Sequence, residues 1–346
     1  MEFDIYALSE NEGKGSIKAV INQELGKKIE VAIKIIKKDG SLLDFCRRLE
    51  IKYETLWKYL NVTKAIPLFV LSEMQKESGT SFRENIKNLE YGTGATKRSA
   101  SVVRTCTENL AALIGAYAAD GYLKQRSFLR NGRKLTHYEL RFREEHASNV
   151  DTLLSWIKSE FGFDAKNTKE RNHYHIYISN KIIFRHFERL FGFKPGRKTE
   201  TIRAPDFIKN SHNEIKISFI KGVMMFDGYV NKSNGYIELY SKSENLIRDI
   251  SNMLSQIGIR PDYISKTHDK YERYRFIIRK QEKLSKCLIL FEPNTIKWAR
   301  LNTCINNFRR SKNGGSKMAK DRTEEIKNLM TQPQHIRNIA IAAHID

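Results

Sequence analysis

Leu113-Ile114-Gly115-Ala116-Tyr117-Ala118-Ala119-Asp120-Gly121 decides the reading of this chain, because a related stretch follows as Ile220-Lys221-Gly222-Val223-Met224-Met225-Phe226-Asp227-Gly228, 107 residues on (227 − 120 = 107). Both end an apolar helical run in Asp-Gly and an aromatic, Tyr122 or Tyr229. Gly115, Ala118 and Ala119 form a smooth ridge that lets a second helix backbone approach closely, as Gly222 does in the other copy. After each motif comes an alternating strand. In Tyr138–Arg143 the residues Tyr138, Leu140 and Phe142 are expected to face a core, with Glu139, Arg141 and Arg143 outward, and in Tyr236–Tyr240 the inward pair is Ile237 and Leu239. An amphipathic helix follows, ending at Gly162 or Gly258. Later strands then match at an offset of 100: Tyr174 with Tyr274, Ile176 with Phe276, Ile178 with Ile278, Phe184 with Leu284 and Phe191 with Phe291. A duplicated α/β unit is the economical reading. Its outward strand residues, His173, His175 and Tyr177 in one copy and Arg275 and Arg279 in the other, suit a DNA groove. His173 and His175 also have the look of a metal pair, but no third ligand is evident.

The two motifs, each leading a strand-helix-strand unit, resemble the LAGLIDADG motif of DOD-type homing endonucleases over roughly residues 105–305. The resemblance implies an α+β fold in which a pseudo-twofold pair of αββαββα-like units packs its motif helices together and spreads antiparallel sheets into a saddle over double-stranded DNA. It implies a monomer with internal pseudo-symmetry that hydrolyses phosphodiester bonds with Mg²⁺. Asp120 and Asp227 then meet at helix C-termini, where two carboxylates repel unless a cation intervenes. The metal set is Asp120, Asp227, Gly121 and Gly228. The family places basic groups near the metals, and Lys242 and Arg143 are the candidates, equally suited to holding phosphate. Ala118 and Met225 stand where the family often has a second acid, and Phe226 replaces a small residue. An inactive DNA-binding regulator is therefore the alternative of a different class. Asp-Gly also caps many helix-to-turn junctions with no further role.

The rest of the chain fits a nucleic-acid partner. Lys and Arg total 61 of 346 residues against 40 Asp and Glu, a net charge of +21 that draws a polyanion. The length allows two or three domains. The four cysteines form no Cys-x-x-Cys pair, which argues against a zinc knuckle or a disulfide scaffold. With no bilayer-spanning apolar run and no signal-peptide layout, a soluble cytoplasmic protein is expected.

Residues 1–85 read as an all-α region. A basic helix is expected over 15–36, and helices over Ser41–Leu49, Tyr53–Leu60 and Pro67–Lys76 resemble the helix-turn-helix of repressor-like regulators, spanning about 41–76. Leu43, Cys46, Ile51, Leu56, Trp57 and Leu60 are its expected core, with Lys52, Tyr53, Thr55 and Lys58 free to reach DNA. A small helical bundle with a solvated face is the plain alternative. Residues 86–104, including Gly92-Thr93-Gly94-Ala95-Thr96-Lys97-Arg98, read as a basic linker. The repeats are then 105–195 and 196–310. From Met318 to Asp346 the tail of 311–346 resembles the start of archaeal elongation factor 2, but it ends before the Gly-Lys-Thr of a phosphate loop, so GTP binding is not expected. That neighbourhood also raises an elongation-factor fragment fused to, or containing, intein-type endonuclease sequence.

Overall fold

The computed structural model describes residues 2–9, 16–268, 272–293 and 295–312. The segment resembling elongation factor 2 lies outside the described residues. After a 3-10 turn at Ile5–Leu8, the amino-terminal unit runs β1 (Lys18–Val20), α1 (Gln23–Asp39), α2 (Leu42–Arg48), α3 (Tyr53–Asn61), β2 (Ala65–Pro67), α4 (Leu68–Ser78), β3 (Asn88–Tyr91) and β4 (Arg98–Ser101). The strands pair antiparallel in the order β2-β1-β3-β4.

This sheet corrects the all-α reading, and it absorbs the stretch expected to be a linker. Residues 18–20 join a strand, and the helix starts only at Gln23, where Asn22 accepts a hydrogen bond from the Leu25 N–H. The helical phase also differs from expectation. Helix α2 buries Leu42, Phe45 and Cys46, an i, i+3, i+4 face that turns Leu43 outward, 45% exposed. In α3 Leu56 is buried and Trp57 is 53% exposed, so neither Leu43 nor Trp57 belongs to the core.

The first repeat is α5 (Glu108–Asp120), β5 (Tyr122–Arg130), β6 (Arg133–Glu144), α6 (Ala147–Phe161), β7 (Lys166–Glu170), β8 (His173–Ile178) and α7 (Lys181–Arg185), which continues as a π-helical turn over His186–Leu190. Helix α8 (Asp206–Lys209) precedes the second: α9 (Asn213–Phe226), β9 (Gly228–Asn231), β10 (Tyr236–Ser241), α10 (Glu244–Gln256), β11 (Tyr263–His268), β12 (Glu272–Ile278), α11 (Gln281–Lys286) and α12 (Ile296–Lys312). The sheets are β5-β6-β8-β7 and β11-β12-β10-β9, the same connectivity twice. Leu140 pairs with Ile178 and Phe142 with Ile176, as Ile237 pairs with Ile278 and Leu239 with Phe276. All eight are buried, which sets one face of each sheet toward the core and leaves the other open.

Helices α5 and α9 pack backbone to backbone at the centre. A Cβ on Gly115 would lie 2.0 Å from the Phe219 carbonyl oxygen, and one on Gly222 would lie 2.0 Å from that of Ala112. No larger residue fits at either crossing point without moving the helices apart. Residues between Phe191 and α8 strap the repeats together: the Gly196 N–H donates to the Leu123 carbonyl, and the Ser243 hydroxyl donates to the Ile202 carbonyl. The amino-terminal unit packs on the first repeat and on α8, through Phe3 against Phe191 and Phe207 and through Asn180, whose amide donates to the Ser99 carbonyl.

One substitution should therefore have opposite signs at two helical glycines. Gly222→Ala is expected to cost about 2–3 kcal/mol through overpacking, whereas Gly26→Ala in α1, whose new methyl meets only Ile21 at an ordinary 3.6 Å, is expected to stabilise by about 0.5–1 kcal/mol. Urea unfolding of the two variants checks this, and equal effects would contradict the backbone contact.

Candidate functional site

Asp120 is the last residue of α5, and Asp227 caps α9, its N–H donating to the Val223 carbonyl at 2.9 Å. Both side chains line the same two open cavities, one of about 380 Å³ and one of about 510 Å³. The first also holds Lys198, Tyr240, Lys242 and Arg273, and the second Arg143, Glu144, His173 and Lys297. The carboxylates thus sit where two helix C-termini converge, with a cationic wall on one side and a mixed one, Arg143 and Lys297 beside Glu144, on the other.

Lys198 and Lys297 were not among the residues expected from sequence. The Lys198 ammonium donates to the carbonyls of Tyr117, Ala118 and Ala119 at 2.5, 2.6 and 2.8 Å. Lys297 does the same for Met224, Met225 and Phe226 at 3.1, 2.8 and 3.0 Å. Each satisfies the carbonyls that a helix end leaves without partners, and each opposes the negative end of the helix dipole. The match is repeat to repeat. A sequence signal did exist: the lysines fall seven and six residues after the matched Phe191 and Phe291 (198 − 191 = 7; 297 − 291 = 6).

The four groups perturb one another. Burial, and then the negative charge of Asp120, push Asp227 up to about 7, with Lys198 and Lys297 opposing the shift. Burial raises Asp120 as well, against the pull of Lys198. Both lysines are pushed down to about 8, chiefly by burial, while the aspartates hold them up. Each carboxylate still reaches solvent in the cleft, so these shifts reflect a site walled by protein on most sides and open on one.

Of the other expected residues, Lys242 and Arg143 lie in the cavities beside the aspartates, one from each repeat. Gly228 lines the larger cavity. A Cβ on Gly121 would lie 2.3 Å from the Tyr117 ring, so glycine lets the chain turn tightly from helix into strand there. His173 and His175 face Glu145 and Glu170 at 3.6 and 3.7 Å, and among the described residues no group of three or more His, Cys, Asp or Glu converges as a metal cage. Both histidines share the open sheet face with Arg141, which stands over the Tyr177 ring and pairs with Glu139. Glu139 lies on the open face, as expected, but is buried there because Arg141 and His137 flank it. On the second sheet Arg275 donates to the Tyr240 hydroxyl at 2.7 Å, and the exposed Arg279 donates to that of Tyr263 at 2.8 Å. Lys52, Tyr53 and Lys58 are exposed on the amino-terminal unit, with Thr55 half-buried, and none of them lines either cavity.

A LAGLIDADG-like domain model matches residues 214–288, and the WhiA LAGLIDADG-like domain model matches residues 110–187. The chain carries two LAGLIDADG-like domains. Their motif helices are α5 and α9, and the carboxylates described above are the motif aspartates. An A-type ATP synthase subunit of Pyrococcus abyssi is 29% identical over 181 residues, which is 52% of this chain and 16% of that protein. A DNA polymerase of Thermococcus kodakarensis is 25% identical over 208 residues, 60% of this chain and 11% of that protein. The chain thus spans about a sixth or less of the length of these curated relatives. Among solved structures, the homing endonuclease I-DmoI in complex with DNA and Ca is 18% identical, covering 56% of this chain and 97% of that one, with a TM-score of 0.43. The LAGLIDADG homing endonuclease I-GzeII in complex with its DNA target is 10% identical, covering 67% and 100%, with a TM-score of 0.43. No helix among the described residues is long and apolar enough to cross a membrane.

The LAGLIDADG cleft carries charge at a cost to the fold. Because Asp227 binds its proton more tightly when folded than when unfolded, its contribution is present below about pH 4 and is lost as pH rises toward 7. In chelator, Asp227→Asn is expected to leave Tm unchanged near pH 4 and to raise it at pH 8. Discounted for the solvent reaching the carboxylate, the gain is about 1 kcal/mol, or roughly 2–4 °C. A Tm that falls at pH 8 would contradict the shift.

Proposed function

We propose that this chain is a DNA endonuclease that hydrolyses phosphodiester bonds of duplex DNA at the floor of the cleft, with Mg²⁺ as its metal. The observation that carries the reading is that Asp120 and Asp227, one from each repeat, line the same cavities beneath two open sheet faces bearing arginine, histidine and tyrosine. Two carboxylates raised by burial, Asp227 further by the charge of Asp120 and both by that of Glu144, are oxygen donors in need of positive charge. The nearby lysines give their hydrogens to backbone carbonyls. An oxygen-only pair with solvent access suits Mg²⁺, which accepts one or two carboxylates and keeps several waters. When bound, that ion would supply Lewis-acid polarisation of a phosphoryl oxygen and a lowered pKa for attacking water.

The remaining work falls to the chain itself. Asp120 and Asp227 would hold the metal at the junction of the repeats, with Gly121 and Gly228 shaping the backbone beside them. Lys198 and Lys297 hold the helix ends rigid and keep positive charge near the phosphate as negative charge develops on it. Lys242 and Arg143, one on each side, steady the phosphate or order water. Arg141, His173, His175, Arg275 and Arg279 meet phosphates and base edges from the open faces, and Lys52, Tyr53, Thr55 and Lys58 extend contact from α3. The chain acts as one molecule, since the two repeats already supply both halves of the site. An origin as a mobile, intein-related element is supported by a different fact: small parts of a DNA polymerase, an aminotransferase and an ATP synthase component all match it.

Incubating the chain with a library of randomised duplexes and Mg²⁺ tests this. Cleavage products are expected from the wild type, with a loss of about 10³-fold in both Asp120→Asn and Asp227→Asn, and about 10²-fold in Lys242→Ala or Arg143→Ala. Binding without cleavage, or cleavage that survives both aspartate changes, would overturn the reading.

A further inference from the structure

The two sheets differ in one respect that their shared connectivity does not require. In the first repeat β5 and β6 pair continuously from Tyr122 with Arg141 to Arg130 with Arg133, whereas β8 joins β6 only over Leu140–Glu144. The stretch from Lys124 to Glu139 is therefore a two-stranded ribbon that runs on past the sheet. Its counterpart in the second repeat stops early, with β9 pairing β10 only from Gly228 with Leu239 to Asn231 with Tyr236. The ribbon closes on Asn131-Gly132, both at positive φ (51° and 70°), the two-residue turn whose twist matches paired strands. Ser127 and Thr136 are hydrogen-bonded across it at 3.0 Å.

Register decides what each face carries. Lys124, Arg126 and Phe128 on β5 share a face with Glu139, His137 and Leu135 on β6, and this is the face on which Arg141 and Tyr177 lie. Phe128 and Leu135 sit directly opposite each other and are 45% and 41% exposed. A facing apolar pair near the tip of a narrow ribbon steadies the hairpin as a cross-strand pair, yet it leaves nearly half of both side chains in water, free to meet a further apolar surface. The next pair along the face is Arg126 with His137. From Tyr122 to Tyr138 the sequence holds five Lys or Arg (Lys124, Arg126, Arg130, Arg133, Lys134) and no Asp or Glu.

We propose that this ribbon is a DNA-engaging arm in which Phe128 and Leu135 form an apolar wedge inserted between base pairs of duplex flanking the cleavage site on the first repeat's side. The inference rests on the DNA-binding reading above. Charge complementarity and continuity with the open sheet face favour duplex DNA over a protein partner. Apolar wedges flanked by cationic side chains partly unstack a base step and bend the duplex toward more protein surface. A ribbon reaching roughly 20 Å beyond the sheet covers about six base pairs. The footprint is thus lopsided although the catalytic core is pseudo-symmetric.

The test uses the full chain and a randomised 40-base-pair duplex library, retained on the protein in Ca²⁺ and mapped by hydroxyl-radical footprinting. Protection is expected to reach about six base pairs further on one side of its centre than on the other. The double variant Phe128→Ala/Leu135→Ala should shorten that side alone and weaken retention about 10-fold or more. Leu129→Ala, on the opposite face and 77% exposed, should change neither. A footprint of equal reach on both sides, or one unchanged in the double variant, overturns the arm while leaving DNA binding intact. Retained duplexes that are never cut in Mg²⁺ count against the nuclease reading alone, and the footprint still decides the arm. Failure to retain any duplex overturns both. A wild-type dimer in sedimentation that the double variant loses would show the pair to be a protein contact, and the arm would fall.

Discussion

Everything in the cleft depends on how closely α5 and α9 can approach. With only hydrogen at Gly115 and Gly222, the two backbones touch, and the helices end side by side. Partial negative charge from both sets of terminal carbonyls then accumulates in one place, and each helix ends in a carboxylate. Apart from the fold, nothing would gather so much like charge. Lys198 and Lys297 offset part of it by bonding to three carbonyls each, at the expense of burying two ammonium groups that water would solvate better. What is left over is the negative charge that the proposed divalent cation would offset.

The same pairing accounts for the architecture around the cleft. Each motif helix turns through a glycine directly into a strand, so the helix pair determines where the two sheets start. Burial of Leu140, Phe142, Ile176 and Ile178 in one sheet, and of Ile237, Leu239, Phe276 and Ile278 in the other, then fixes which faces remain open. Both open faces combine acidic, cationic and aromatic groups, but at different register positions: Glu139 with Arg141 and Tyr177 on one side, and Glu238 with Arg275 and Tyr240 on the other. The long ribbon of β5 and β6 is a further difference between the two sheets.

Much of this was legible in the sequence, for physical reasons that also mark where legibility stopped. The motif helices and central strands carry strong periodic burial, and the offset of 100 between Ile178 and Ile278 marked the duplication that the two sheets of like connectivity display. The helix ends at Gly162 and Gly258 were readable too, since both glycines take positive φ. The amino-terminal sheet was not readable. Its strands Lys18–Val20 and Ala65–Pro67 are three residues each, too short to show alternation, and they pair across long stretches of chain. Trp57 reads as core only when its apolar type is weighed above helical phase, which Leu56 satisfies. Lys198 and Lys297 escape notice because single lysines carry no signal in a chain with 61 Lys and Arg. Only their matched spacing from the ends of the two repeats sets them apart.

The central claim is that Asp120 and Asp227 act as one oxygen-donor site completed by a divalent cation. Calorimetric titration with Mn²⁺ at pH 6, run in two buffers of different ionisation enthalpy, tests it most directly, because burial and the charge of Asp120 raise Asp227 to about 7, so that an incoming cation is expected to displace a proton. The account predicts close to one proton released per bound ion, with both binding and proton release lost in Asp227→Asn and binding lost in Asp120→Asn. Binding of equal strength in all three proteins, with no proton released, would contradict it.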